Sequence, residues 1–279
     1  MSMQQKASGT TKSTPVIAAD APWRWFAAGW KNFMRAPILS ISYGALFVAI
    51  GACIVVGLIA AELQALIPAF IGAFALIAPL FATGLYGVAD RLSRGETPSF
   101  SLVAPGSPNG TLQLAYMGIP LLMGLIAWTL SAWVLFVLFS GEWHASLPSF
   151  LQFVLGTPGG LAMLVIGTAV GAIIAFTIFA LTAFSVPMLV DREVDVITAT
   201  ATSVSTVKAN LAPALLWAWI IGGCMVISAL TMMVGFMVLF PVLGYATWHG
   251  YKDVFGEGVY KPHTEAQPSE FGFARGTAE

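Results

Sequence analysis

Few side chains in this sequence could do chemistry. The histidines are His144, His249 and His263, and the cysteines are Cys53 and Cys224. Both cysteines lie inside apolar runs, where a thiol reads as a small buried hydrophobe and not as half of a disulfide or a metal pair. No phosphate-cradling glycine motif, metalloprotease helix motif or paired-cysteine motif occurs, and hydroxyls in the apolar runs have no base beside them in sequence. No catalytic residue, metal or cofactor is expected. The densest polar patch is Asp191, Arg192, Glu193 and Asp195. Its acids precede a helix that ends near Lys208, which suits the helix dipole. The same patch, with a Thr/Ser face on that helix, also offers a surface to a partner. Asp191, Arg192, Asp195, Asn210, Trp248 and His249 form the candidate interaction surface. His249 sits in Trp248-His249-Gly250-Tyr251-Lys252, which reads as an interfacial aromatic belt with a polar tip.

The elements that must position these residues are apolar. The chain is 58% hydrophobic and 9% charged, with mean hydropathy +0.84, against about 25% charged residues in a soluble domain. A net charge of −1 gives no pull toward nucleic acid. Ile38–Ala60, Leu66–Val88, Leu112–Phe139 and Leu161–Val190 each reach the roughly 20 apolar residues that a crossing needs. Leu211–Tyr251 would make one helix roughly 60 Å long, so it reads as two crossings with a tight turn near Ala229–Val234. The spans contain no Asp, Glu, Lys or Arg, which argues against ion-coupled transport and against an embedded carboxylate catalyst.

With six crossings and the N-terminus inside, all 12 basic residues fall in cytoplasmic segments, as the positive-inside rule requires. Five crossings would put Lys252, Lys261 and Arg275 outside. Two amphipathic helices are expected at the interface, over residues 22–36 and about 195–210. In the first, Asp20 is expected to cap, and Trp23, Phe26, Trp30 and Phe33 to face the interface with Arg24, Lys31 and Arg35 opposite. In the second, Val194, Ile197, Ala201, Val204 and Leu211 make the apolar stripe. Gly167, Gly171 and Ala175 form a small-residue face for helix packing. The segments 95–110 and 140–160 read as loops, the latter with Glu142, Trp143 and His144 and an apolar patch at 150–155. Residues 1–20 carry no signal-peptide core, and with 256–279 they read as disordered tails around one membrane domain, 21–255. Pro79, Pro187 and Pro241, each in or near the end of an even-numbered span, suggest an internal repeat. The expected fold is an all-α polytopic bundle of six transmembrane helices, arranged as three hairpins with interfacial helices.

Several stretches resemble a bacterial membrane family, the domain of unknown function numbered 2189. They include Pro79-Leu80-Phe81-Ala82-Thr83-Gly84-Leu85-Tyr86, Arg91-Leu92-Ser93-Arg94-Gly95-Glu96, Pro187-Met188-Leu189-Val190-Asp191-Arg192 and Pro241-Val242-Leu243-Gly244-Tyr245-Ala246-Thr247-Trp248-His249. The resemblance runs from about residue 24 to 255 and implies a multi-pass membrane protein. Members are sometimes labelled cytochrome c oxidase subunit I, yet this chain has too few histidines to hold that enzyme's haems and copper. Members often carry histidine where this chain has Tyr245, so no histidine pair forms with His249. The sequence therefore points to a non-enzymatic protein of the bacterial inner membrane. Its expected role is accessory or assembly partner of a membrane complex, with transport of a neutral or lipidic substrate as the alternative.

Overall fold

A computed structural model describes residues 15–98, 108–140 and 147–256. Among the described residues the fold is all helix. In chain order the helices are α1 (Ala21–Arg35), α2 (Pro37–Ala60), α3 (Ile67–Phe81), α4 (Thr83–Ser93), α5 (Pro108–Ser140), α6 (Leu147–Gly156), α7 (Pro158–Thr182), α8 (Ser185–Asp191), α9 (Val196–Ala209), α10 (Leu211–Leu230) and α11 (Phe236–Phe255). The expectations for residues 1–14, 99–107, 141–146 (Glu142, Trp143 and His144 among them) and 257–279 (His263) lie outside the described residues.

Four helices are long and apolar enough to cross a membrane: Pro37–Ala60, Thr111–Ser140, Pro158–Asp191 and Leu211–Leu230. A fifth is added if the pair Ala69–Phe81 and Thr83–Ser93, bent by 40°, counts as one crossing. The sixth expected crossing, α11, does not meet that test, because Trp248 to Asp253 make its last turns polar. It can be polar because it hardly meets lipid. Thirteen of its twenty residues are buried, from Phe236 to Phe255. The chain is built around this helix.

α11 is held by close backbone approach. A Cβ on Gly29 of α1 would lie 2.4 Å from the Val242 carbonyl oxygen, and one on Gly44 of α2 would lie 2.3 Å from that of Met237. Only glycine lets two helices meet at this distance. α1 and α2 together run antiparallel to α11, turning at Ala36-Pro37, where the proline cannot continue the α1 ladder. Aromatic rings fill the apolar half: Phe47 lies 5.1 Å from Phe240, Phe74 5.9 Å from Phe236, and Phe236 stacks on Phe240 at 4.8 Å.

Both apolar runs that carry a proline near their ends break, and each break is sealed from elsewhere. Pro79 precedes the bend at Ala82, and the freed Phe81 carbonyl accepts from the Tyr43 hydroxyl at 2.7 Å. Pro187 follows the break between α7 and α8, where Ser203 of α9 donates to the Ala180 carbonyl (2.8 Å) and accepts from the Phe184 N–H (3.2 Å). A backbone group left open inside a bilayer costs several kcal/mol, so these hydroxyls permit the breaks.

The expected hairpins are only partly realised. α2 packs chiefly on α11 and α3 on α5, while α5 packs on α7. Trp128 of α5 fills the gap between them: its ring lies against Gly72 and Gly171, and its indole N–H donates to the Ala69 carbonyl at 2.7 Å. Gly171 therefore serves packing within the bundle. The turn after α10 falls at Thr231–Gly235, with Met232 and Met233 at positive φ (50° and 68°), and the Thr231 hydroxyl accepts from the Gly235 N–H.

Candidate functional site

The last turns of α11 gather polar groups from three other helices. Asp191, at the end of α8, accepts from the Tyr251 hydroxyl (2.7 Å) and the Lys252 ammonium (2.5 Å), and Arg192 Nε lies 3.6 Å from the same carboxylate. Arg192 also donates to the Phe255 carbonyl at the C-terminus of α11. Lys252 Nζ sits 4.8 Å from the centre of the Trp248 ring. The Asp191 side chain is 19% exposed, so its charge is compensated by two cations and a hydroxyl in a largely desolvated place.

On the α1 side, Asn32 Nδ2 lies 2.9 Å from His249 Nε2. An amide nitrogen only donates, so Nε2 accepts and the proton of the neutral ring sits on Nδ1. Trp25 Nε1 donates to Asp253 at 2.9 Å, and its ring meets Trp217 and Phe184 edge-on at 5.9 and 6.5 Å. One turn deeper, Ser40 and Tyr245 share a 2.9 Å hydrogen bond. Tyr245 thus ties α11 to α2 through its hydroxyl.

Of the expected surface, Asp191, Arg192, Trp248 and His249 come together here. Trp248 and Tyr251 do not form a belt facing lipid. They are buried, with Trp248 stacked on Tyr86 of α4 at 5.9 Å. Asp195 stands apart as the cap of α9, accepting from the Thr198 N–H (2.9 Å) and hydroxyl (2.6 Å), which hold its carboxyl below the usual aspartate range. Asn210 is also apart: its amide donates to the Pro15 and Thr206 carbonyls, and its oxygen accepts from the Ile17 N–H at 2.8 Å. Residues 15–17, read as tail, are pinned by this clamp.

Both helices expected at the interface also pack one face into the bundle, a face the sequence reading did not assign. α1 buries Trp25, Gly29, Asn32 and Phe33 against α11 and leaves Trp23 and Trp30 exposed. Its Asp20 does not cap; the carboxylate pairs with Arg24 at 3.0 Å. α9 buries Ala199, Ser203, Thr206 and Val207, while Ile197 and Leu211 from the expected apolar stripe are exposed. Sequence reasoning missed Trp25, Asn32, Ser40 and Asp253. Asn32 was findable as the one amide on α1; the others carried no local signal. Among the described residues, no group of three or more His, Cys, Asp or Glu could hold a metal ion.

Fold and site together define an integral membrane protein of all-helical, multi-pass type, with a polar lock at one end of a central helix. Residues 66–191 are similar to the family described as "Predicted integral membrane protein (DUF2189)". The matched stretch runs from the start of α3 to the end of α8, shorter than the resemblance quoted above. No curated protein and no solved structure matches the chain.

Proposed function

We propose that the protein is a non-enzymatic, six-crossing protein of the bacterial inner membrane, with both termini cytoplasmic, acting as an accessory or assembly partner of a larger membrane complex. The resemblance to proteins labelled as oxidase subunits makes a respiratory complex the first to test. The observation that carries this reading is the solid centre. α11 fills the interior with rings, and the polar groups at its end are bonded to one another, so the surfaces left for function face outward. The orientation is supported by charge. The eight described cations lie on α1, at the ends of α4, α9 and α11, and just after α4 and α8. Contacts of Arg192 and Lys252 with α11 and α8 draw those ends together. The test is a tagged pull-down from native membranes in mild detergent, followed by mass spectrometry and a haem spectrum. Stoichiometric recovery with one membrane complex is expected; purification alone as a colourless homo-oligomer counts against the reading.

A second reading, transport of a neutral or lipidic substrate, is favoured by the two broken helix pairs, since transporters build sites where helices are interrupted. Reconstituted liposomes with no change in permeability to small neutral solutes or in lipid exchange would remove it.

A further inference from the structure

We propose that the elbow between α1 and α2 is a binding site for the phosphate headgroup of an anionic phospholipid. An open groove of about 470 Å³ lies there, with Arg35 and Ser42 as its polar groups and Pro37, Ile38, Leu39 and Pro98 among its apolar ones. Four of the other described cations have carboxylate partners. Arg24 pairs with Asp20, Arg94 with Asp90, and Arg192 and Lys252 with Asp191. Arg35 has no carboxylate partner among the described residues, and neither has Lys31 one turn earlier on α1. The Ser42 hydroxyl, exposed on the next turn of α2, is also unbonded.

The apolar surface continues from the groove along α2. Ile38 is 83% exposed and Ile41 41%, on a helix that is itself long and apolar enough to cross the membrane. Trp30 and Met34 are exposed on α1 beside it. A guanidinium and a hydroxyl at the head of an apolar track match a phosphodiester followed by an acyl chain. Free phosphate would meet the cation and leave the track uncovered. A zwitterionic lipid would bring its own ammonium against Arg35 and Lys31. The site therefore selects lipids with net negative charge, and it does not depend on the accessory role.

The experiment reconstitutes the full chain with equal amounts of phosphatidylglycerol and phosphatidylcholine and counts retained lipids by native mass spectrometry. Wild type is expected to retain phosphatidylglycerol several-fold over phosphatidylcholine. Arg35→Gln lowers that preference about fivefold, the effect of about one surface cation, while Lys208→Gln, outside the groove, leaves it unchanged. Ser42→Phe fills the groove with the charges intact and abolishes retention. Each variant is checked for monodisperse elution; Arg35 and Lys208 are both exposed, so that pair decides even if the phenylalanine variant does not fold. Equal retention of the two lipids by wild type overturns the proposal. So does an equal loss in Arg35→Gln and Lys208→Gln, which means diffuse attraction. Displacement by millimolar inorganic phosphate overturns the lipid as occupant.

Discussion

Asp191 and Asp195 are four residues apart and do different work. Asp191 accepts from α11 and holds the end of the central helix, whereas Asp195 accepts from Thr198 and starts α9. Asp191→Asn keeps the shape and removes the charge, leaving Lys252 and Arg192 facing an amide. We expect a loss of about 1–3 kcal/mol, moderated because Lys252 is 35% exposed. It would be read as a lower melting temperature in detergent, with Glu193→Gln, on an exposed side chain, as the unchanged control. Asp195→Ala removes a cap and costs about 0.5–2 kcal/mol. The hydrogen bonds of Asp195 depress its folded pKa, so the carboxylate stabilises the fold above the unfolded value of about 3.9. That contribution fades as pH falls through the folded value. The gap in melting temperature between wild type and Asp195→Ala should accordingly close on acidification below about pH 4; a gap that persists there contradicts the assignment. Asp195 was legible as an acid at the start of α9, because that placement is local, although its capping bonds were not. The partner of Asp191 was not, since Lys252 lies 61 positions away and nothing in either neighbourhood names the other.

At the scale of the helix, hydropathy found the lipid-facing elements and undervalued the one they surround. Ile38–Ala60 announces itself because it meets lipid. α11 mixes rings with Thr247, His249 and Lys252 because its surroundings are other helices, and a scale built on lipid transfer reads that mixture as weak. The inward faces of α1 and α9 were not legible for a related reason. Near a membrane the outer face is also apolar, so periodicity reports two apolar sides and does not say which one packs. Trp23 and Ile197 fit the expected pattern and point away from the protein. Packing against α11 can be tested at its glycines. Gly29→Ala and Gly44→Ala each press a methyl onto backbone that has no rotamer to yield, at a cost of about 1–3 kcal/mol. Gly222→Ala and Gly223→Ala, with open space around both positions, are neutral or slightly stabilising through helix propensity. Thermal midpoints of the four variants separate into those two pairs. Equal effects across all four would mean that α11 is not gripped as described.

For the molecule as a whole, the decisive measurement is topology. In a background with Cys53 and Cys224 replaced by alanine, single cysteines at Glu62, Met232 and Lys208 report the two ends, and one at Asp253 reports the end of α11. Six crossings predict labelling of Glu62→Cys and Met232→Cys by an impermeant maleimide applied to the periplasmic side of spheroplasts, and of the other two only after permeabilisation. Asp253→Cys labelled from outside would instead leave α11 short of a crossing. The central position of α11 also bears on the order in which the protein is made. Chains emerge N-terminus first, so α1 and α2 reach the membrane long before the helix they close upon has been translated. Until then Gly29, Asn32, Ser40 and Gly44 face no partner, and the Asn210 clamp on residues 15–17 is also missing. The first helices stay open-sided until α11 has been translated, and the fold closes only then.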